Sequence, residues 1–231
     1  MSVALVGAGP GDPGLITVKG LELLRACDMV VYDRLVAAEL VDEAPDDALR
    51  IERDLLSQDA VNELLVAHGK TSLVVRLKGG DPFLFGRGGE EALALADAGV
   101  PFEIVAGVSS LASVPGSVGI PVTHRGVASM VTAFAAHDVE ALDVAALARV
   151  PGTLVAFMGG AHAKRLAQRL IEHGKPASTP AAVISRGTTD EEEVVVTPLG
   201  ALEDAATTPA LVVIGDVVSV RAALAVQRSA A

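Results

Sequence analysis

A glycine-rich turn at residues 7–13 (GAGPGDP) directly follows the first apolar run of the sequence. Such a turn, leading into a helix, is typical of dinucleotide binding, and Asp33 further along imitates the acidic residue that binds a ribose in that fingerprint. However, Asp12 occupies the place of the third glycine, and Pro10 removes a backbone N–H that a phosphate would bind. The turn therefore favours a ligand with a cationic or neutral head group, unless its role is structural only.

A second glycine-rich segment, residues 76–89 (RLKGGDPFLFGRGG), follows another predicted strand. Ligands of α/β proteins bind where parallel strands end, and glycines there let a ligand approach the backbone closely. Asp81 in this segment can accept hydrogen bonds from a ligand. Loops of this composition serve binding more often than folding alone, so the segment predicts a ligand site.

Three further loops carry candidate residues, each with a structural alternative that the sequence leaves open. Ser109 and Ser110 follow a strand and begin a helix, so they either cap the helix or present backbone amides to a ligand. His124 and Arg125 form a basic pair in a loop that contacts a ligand or is simply solvated. Met158 ends another strand and belongs to the core or lines an adaptable pocket.

Other catalytic schemes are absent from the sequence. It contains no HExxH motif, no GxSxG motif, no phosphate-binding P-loop and no Cys/His spacing typical of a metal site. The single cysteine, Cys27, excludes an internal disulfide and lies in an apolar helical pattern, which indicates an inert buried thiol. We therefore expect no metal.

The composition limits the class of protein and its partners. The chain has 231 residues, 51% of them hydrophobic, which is enough to bury one large or two small cores and excludes a disordered chain. Its formal net charge of −11 makes nucleic acid and anionic membranes poor partners. The first residues lack the pattern of a signal peptide, and no apolar run reaches the roughly 18 residues of a membrane span. We expect a cytoplasmic protein.

Short β-branched runs alternate with amphipathic stretches along the chain, which predicts an α/β fold. Two consecutive strands near the end indicate a mixed sheet in the second half, and the proline- and glycine-rich stretch at 115–121 suggests domains at residues 1–116 and 121–231. The predicted strands are 3–6, 29–32, 49–52, 73–77, 102–105, 130–135, 153–157, 181–185, 193–197 and 211–214. The predicted helices are 17–26, 37–43, 58–68, 89–98, 161–173 and 217–226.

Taken in order, these motifs resemble one family, the tetrapyrrole (corrin/porphyrin) methylases. The resemblance covers about residues 3–226 and is greatest to members that methylate uroporphyrinogen III. It rests on GAGPGDPGLIT, VVYDRLV, VVRLKGGDPFLFGRGGEE, VAGVSSLASVP, GIPVTHRG, VAFMGG and SRGT, of which the second and third are the most specific. It implies a fold of two α/β domains that hold S-adenosylmethionine in the cleft between them, in a homodimer.

The resemblance also implies an activity: methylation of uroporphyrinogen III at C-2 and C-7, giving precorrin-2 for sirohaem and cobalamin, with S-adenosylhomocysteine as the second product. The family's proton-accepting aspartate falls on Asp33. Because the acceptor carries eight carboxylates, we expect it to contact cations of the matched motifs, namely Arg34, Arg87, His124 and Arg125. The family's cofactor positions fall on Pro10, Gly79, Gly80, Asp81, Leu84, Ser109, Ser110, Met158, Gly187 and Ala210.

One segment departs from the family pattern. Residues 50–58 (RIERDLLSQ) are shorter than in relatives, and Asp54 and Leu55 stand near the place of the lysine proposed there as proton donor. The chain could therefore methylate a later corrin intermediate or be a non-catalytic tetrapyrrole-binding module. More distant members of the superfamily methylate a modified histidine precursor on a protein or a ribosomal RNA ribose. The acidic balance of this chain argues against RNA, and YDRLV with THRG argues for a tetrapyrrole. A nicotinamide dehydrogenase is disfavoured by Pro10 and Asp12.

Overall fold

The computed structural model describes residues 1–224, apart from the side chain of Leu55. The chain divides into two compact units, Met1–Ser110 (unit 1) and the residues from Leu111 onward (unit 2). The units divide between Ser110 and Leu111, and the domain boundary expected at 115–121 stays a prediction. In the described range no helix is long and apolar enough to cross a membrane.

Unit 1 contains a five-stranded parallel sheet with the strand order β3-β2-β4-β1-β5. Its strands are β1 (Ser2–Gly7), β2 (Met29–Tyr32), β3 (Leu49–Glu52), β4 (Leu73–Lys78) and β5 (Phe102–Val105). The central strands are almost continuously buried, as expected of a parallel sheet with both faces covered. All five carboxyl ends meet at one edge, the carboxyl edge of unit 1.

The helices of unit 1 are α1 (Val18–Leu24), α2 (Ala38–Val41), α3 (Gln58–Gly69) and α4 (Gly88–Asp97). Val6 and Leu24 pack in one core cluster, whereas Leu5, Leu65 and Leu95 pack in another. Because neighbouring residues of β1 point to opposite faces, the sheet has a separate core on each side. The hydroxyl of Ser57 caps α3 by accepting a hydrogen bond from the amide of Ala60.

Unit 2 contains a five-stranded mixed sheet with the order β6-β7-β10-β8-β9. Its strands are β6 (Val131–Ala135), β7 (Thr153–Phe157), β8 (Pro180–Ser185), β9 (Glu193–Pro198) and β10 (Ala210–Ile214). Strands β6 and β7 are parallel, and β10 is antiparallel to both of its neighbours. The remaining helices are α5 (Ser110–Ser117), α6 (Val144–Arg149), α7 (Ala163–Glu172) and α8 (Val220–Leu224).

The ten predicted strands are confirmed to within one residue at either end, and so is the mixed sheet of the second half. The helices differ more. Helix α6 was not predicted, because its six residues are too few to show a helical period. The helix predicted at 217–226 begins as a 3-10 turn, Asp216–Ser219, and its end lies outside the described residues. Pro115 lies inside α5, which ends two residues later.

Candidate functional site

The carboxyl edge of unit 1 brings together four predicted segments. The glycine-rich turn that contains Pro10 follows β1, Asp33 follows β2, residues 79–84 follow β4, and Ser109 follows β5. Strand β1 lies between β4 and β5, so the segments after these three strands are direct neighbours. This edge is where ligands of open α/β sheets bind.

Glycines let these segments pack backbone against backbone. The amide of Gly80 donates to the carbonyl of Gly9 at 2.6 Å. A Cβ at Gly107 would lie 2.1 Å from the carbonyl oxygen of Gly80, and a Cβ at Gly7 would lie 2.4 Å from the Cα of Gly107. Gly79, in contrast, is exposed and has nothing within 4 Å of its Cβ position, so a ligand can approach its backbone.

Asp81 connects two of these segments. Its Oδ1 accepts a hydrogen bond from the amide of Phe83 at 2.9 Å, and its Oδ2 accepts one from the amide of Gly107 at 3.0 Å. The carboxylate therefore fixes the loop after β4 to the loop after β5. The amide of Leu84 donates to the carbonyl of Asp81 at 3.3 Å, which closes a turn within the same loop. Asp81 thus organises the glycine-rich edge, and any contact with a ligand is additional to that role.

Asp33 is held by a buried arginine. Its amide donates to the carbonyl of Leu77 at 3.2 Å, and its Oδ1 accepts a hydrogen bond from Nη2 of Arg76. Arg76 is only 1% exposed, and its Nη1 donates to the carbonyls of Val31 at 3.3 Å and Leu77 at 3.1 Å. The guanidinium cannot rotate without losing these bonds, so it fixes Asp33 in place. The Asp33 side chain is 26% exposed, so it remains accessible to a substrate.

Behind Arg76 lies a fully buried carboxylate, Glu91, on the first turns of α4. Glu91 Oε1 accepts from Nε of Arg76 at 3.0 Å and from Nζ of Lys78 at 2.9 Å, and its Oε2 accepts from the same Nζ at 2.9 Å. Burial and the charge of Arg76 lower the pKa of Lys78, while Glu91 acts in the opposite direction. The sequence analysis missed Glu91. In the sequence, the helical spacing of Glu91 with the apolar Ala92 and Leu95 indicates that it lies on the buried face of α4.

The two predicted substrate cations of unit 1 are exposed and paired within the chain. Nε of Arg34 lies 3.2 Å from Oδ2 of Asp54, and the Arg34 side chain is 73% exposed. Nη2 of Arg87 lies 2.7 Å from Oε2 of Glu90. Exposed pairs of this kind contribute little to stability, so a carboxylate ligand can replace the internal partner.

Three predicted residues lie at one edge of the unit 2 sheet. Met158 follows β7, Gly187 follows β8, and Ala210 begins the antiparallel strand β10 between them. Met158 is exposed and has a left-handed backbone, with φ of 56°. A Cβ at Gly187 would lie 2.4 Å from Cγ1 of Val114, so this position requires glycine for packing on α5.

His124 and Arg125 lie in an exposed turn of unit 2. The backbone groups of His124 and Ala128 exchange two hydrogen bonds of 2.9 Å, and Nδ1 of His124 lies 2.9 Å from the carbonyl oxygen of Arg125. The turn therefore presents Arg125 to solvent. Among residues 1–224, no group of histidine, cysteine or acidic side chains has the arrangement of a metal site.

Comparison with known proteins identifies the family. A sequence model of the Tetrapyrrole (Corrin/Porphyrin) Methylases matches residues 2–203. The chain belongs to this family. It is 47% identical over 232 residues to siroheme synthase 1 of Yersinia pseudotuberculosis and 48% identical over 231 residues to siroheme synthase 1 of Pectobacterium atrosepticum. Each match covers 94% of the chain but only 49% and 48% of those proteins, so the chain spans about half the length of these curated relatives.

Solved structures of two methyltransferases are similar to this chain. The uroporphyrin-III C-methyl transferase of Thermus thermophilus, complexed with S-adenosylhomocysteine, is 39% identical with a TM-score of 0.84. The match covers 95% of this chain and 100% of that one. A cobalt precorrin-4 methyltransferase is 28% identical with a TM-score of 0.86, covering 94% of this chain and 95% of that one. The predicted α/β methylase fold is confirmed, and the residues that hold the cofactor stay predictions.

Proposed function

We propose that the chain is an S-adenosylmethionine-dependent methyltransferase that methylates uroporphyrinogen III at C-2 and C-7 and so forms precorrin-2. The observation that carries the proposal is Asp33, an accessible carboxylate fixed by buried Arg76 at the carboxyl edge of unit 1. Similarity to the uroporphyrin-III C-methyl transferase of T. thermophilus supports it, because this chain covers the full length of that protein.

The residues at the edge fit S-adenosylmethionine, which supplies an electrophilic methyl group on a cationic sulfonium. The open backbone at Gly79 leaves room for a ligand, and Asp12 gives the turn at residues 7–13 an acidic side chain and no basic one. This charge suits a cation and opposes a pyrophosphate, which also disfavours a nicotinamide dinucleotide. The residues proposed to hold the cofactor are Pro10, Gly79, Gly80, Asp81, Leu84, Ser109, Ser110, Met158, Gly187 and Ala210.

Asp33 is the group proposed to accept the proton. The macrocycle gains a methyl cation and loses a proton each time a ring carbon is methylated, so a base must lie beside it. The pairing of Oδ1 with Arg76 holds the Asp33 carboxylate in one orientation and leaves Oδ2 as the proton acceptor. Positioning of the ring carbon against the methyl donor supplies most of the remaining acceleration.

The acceptor's carboxylates are proposed to bind exposed cations. Arg34 and Arg87 would exchange Asp54 and Glu90 for substrate carboxylates, whereas Arg125 lies exposed in its turn beside His124. Arginine suits this role because its planar guanidinium binds a carboxylate through two parallel hydrogen bonds.

A methylase of a later corrin intermediate is the second candidate. It is favoured by the segment after β3, where Asp54 stands near the place of the lysine of relatives and pairs with Arg34 beside Asp33. A change of charge at this point is expected to alter which macrocycle is accepted. The similarity to a cobalt precorrin-4 methyltransferase shows that the fold serves such substrates.

We also propose that the methylase works in the cytoplasm as a homodimer. The lack of a membrane-spanning helix in residues 1–224 and the biosynthetic relatives support the compartment. The homodimer rests on the family resemblance, and sedimentation equilibrium of the purified chain measures it directly: a dimer mass supports it and a monomer mass contradicts it.

The test of the function is anaerobic incubation of the purified chain with S-adenosylmethionine and uroporphyrinogen III, followed by mass spectrometry. A product heavier by two methyl groups is expected, and none when S-adenosylhomocysteine replaces the donor. Methylation of a later corrin intermediate alone would establish the second candidate. Binding of the tetrapyrrole with no methylation of either acceptor would indicate a non-catalytic binding module.

A further inference from the structure

We infer that Glu91 is a positioning residue for methyl transfer, whose buried carboxylate acts through Arg76 to hold Asp33 in its accessible position. The inference rests on the proposed function, because it takes Asp33 as the base. Glu91 is 0% exposed and accepts hydrogen bonds from Arg76, Lys78 and Gln58. Burial of a carboxylate costs free energy unless its oxygens are hydrogen-bonded or ion-paired. These interactions fix the positions of the partners of Glu91 as well as that of Glu91.

The charges of this cluster balance only when Glu91 is included. Arg76 and Lys78 are both 1% exposed and carry two positive charges, and Glu91 and Asp33 carry two negative charges. Without the charge on Glu91, the carboxylate of Asp33 would be left near two buried cations, bound to Arg76 and attracted by the charge of Lys78 as well. It would then be drawn towards them, away from the position in which a substrate can reach it.

The geometry of Arg76 transmits the effect. Its Nε donates to Glu91, its Nη1 to two backbone carbonyls, and its Nη2 to Asp33. Because the guanidinium is planar and rigid, the position of Nη2 follows from where Nε is held. Glu91 therefore acts together with the carbonyls of Val31 and Leu77 to determine where Asp33 lies, without touching the substrate.

The same carboxylate connects Asp33 to the segment that departs from the family pattern. Nε2 of Gln58 donates to Oε1 of Glu91 at 3.3 Å, and Nη2 of Arg53 donates to Oε1 of Gln58 at 3.4 Å. Nε of Arg53 is buried without a hydrogen-bond partner in the described part of the chain. The altered residues 53–58 thus contact the network that positions the base, which links this segment to catalysis.

The test compares Glu91→Gln, which keeps shape and removes charge, with Glu63→Gln, an exposed site on α3. We expect Glu91→Gln to lower kcat at least ten-fold, with KM and the Kd for S-adenosylhomocysteine within two-fold of wild type. Glu63→Gln should behave as wild type. Where Glu91→Gln folds poorly, the double variant Glu91→Gln/Lys78→Met restores the charge balance, and its kcat should return to within three-fold of wild type.

A second measurement does not depend on methyl transfer. In protein labelled with ¹³C at the aspartate carboxyl carbons, the resonance of Asp33 is assigned by its loss in Asp33→Asn. In Glu91→Gln the chemical shift of this resonance should change, in whatever fraction of the protein is folded. In the double variant it should return to the wild-type value. A wild-type kcat or an unmoved resonance in Glu91→Gln would overturn the inference, as would a double variant that folds and stays slow. A wild-type chain that methylates nothing would refute the proposed function, and the resonance would still test the positioning by Glu91.

Discussion

The two edges that carry the candidate residues are built in different ways. At the carboxyl edge of unit 1, close glycine contacts and a buried ionic cluster hold Asp33 and Asp81. At the corresponding edge of unit 2, Met158, Arg186 and Thr188 all have left-handed backbones, with φ of 56°, 48° and 69°. Left-handed residues also occur in unit 1, at Phe85 and Arg87, with φ of 55° and 59°. The difference between the two edges is therefore the buried ionic cluster, which fixes the carboxylate of Asp33 in unit 1.

Gly107→Ala should have the largest effect, because it tests the close packing of unit 1. The new Cβ would lie 2.1 Å from the carbonyl oxygen of Gly80, and backbone on both sides cannot move away. We expect the free energy of unfolding to fall by about 3 kcal/mol or more. Denaturant unfolding measures it, with Gly89→Ala as the control, since nothing lies within 4 Å of that Cβ and the residue is helical. Equal stability of the two variants would refute the account of this edge.

Asp81→Ala tests whether the carboxylate organises the edge or contacts only the ligand. Removal of both acceptors should lower the free energy of unfolding by about 1–3 kcal/mol, because the amides of Phe83 and Gly107 lose their partner. Calorimetry should also show weaker binding of S-adenosylhomocysteine. Asp81→Asn keeps one acceptor oxygen. Its free energy of unfolding and its affinity for S-adenosylhomocysteine should therefore lie between those of the wild type and those of Asp81→Ala. Weaker binding with unchanged stability would show that Asp81 acts on the ligand alone.

Arg125→Ala and Arg87→Ala compare a cation of unit 2 with one of unit 1. We expect Arg125→Ala to raise the KM for uroporphyrinogen III about ten-fold, since a charge-assisted hydrogen bond contributes about 1.5–3 kcal/mol. Arg87→Ala should have a smaller effect, because Glu90 already binds that guanidinium. Steady-state kinetics at low and high salt give both numbers. If the KM for uroporphyrinogen III changes neither with salt concentration nor with either substitution, the acceptor binds elsewhere.

Met158→Gly should have the smallest effect on stability. Glycine adopts a φ of 56° without strain, and this relief of backbone strain offsets the lost contacts of the methionine side chain. The free energy of unfolding should therefore change by less than about 1 kcal/mol. Affinity for S-adenosylhomocysteine should nevertheless fall. Met130→Gly is the control at an exposed methionine outside the left-handed region, and it should be destabilised. An unchanged affinity for S-adenosylhomocysteine in Met158→Gly would show that the Met158 side chain does not contact the cofactor.

The sequence predicts the strands well and the site only in part. Runs such as MVVY and TLVAF are buried on both faces, so composition alone locates β2 and β7. The order of the segments along the chain, together with the parallel sheet, also predicts that the residues after β1, β4 and β5 come together. The bond of Asp81 to Gly107 and the pairing of Glu91 with Arg76 join residues that are distant in sequence, so no local pattern encodes them. A charged residue in a helix indicates a solvated face, and Glu91 is the exception.

The proposal depends most on Asp33, whose carboxylate is held by buried Arg76 and is proposed to accept the proton. It is tested most directly by Asp33→Asn, which keeps the shape of the side chain and removes the base, beside Asp42→Asn at an exposed helix end. Single-turnover methylation of uroporphyrinogen III and calorimetric binding of S-adenosylhomocysteine are measured on both variants. We expect turnover in Asp33→Asn to fall about 10²-fold or more, while its affinity for S-adenosylhomocysteine stays within about two-fold of wild type. Wild-type turnover in Asp33→Asn would contradict the proposal.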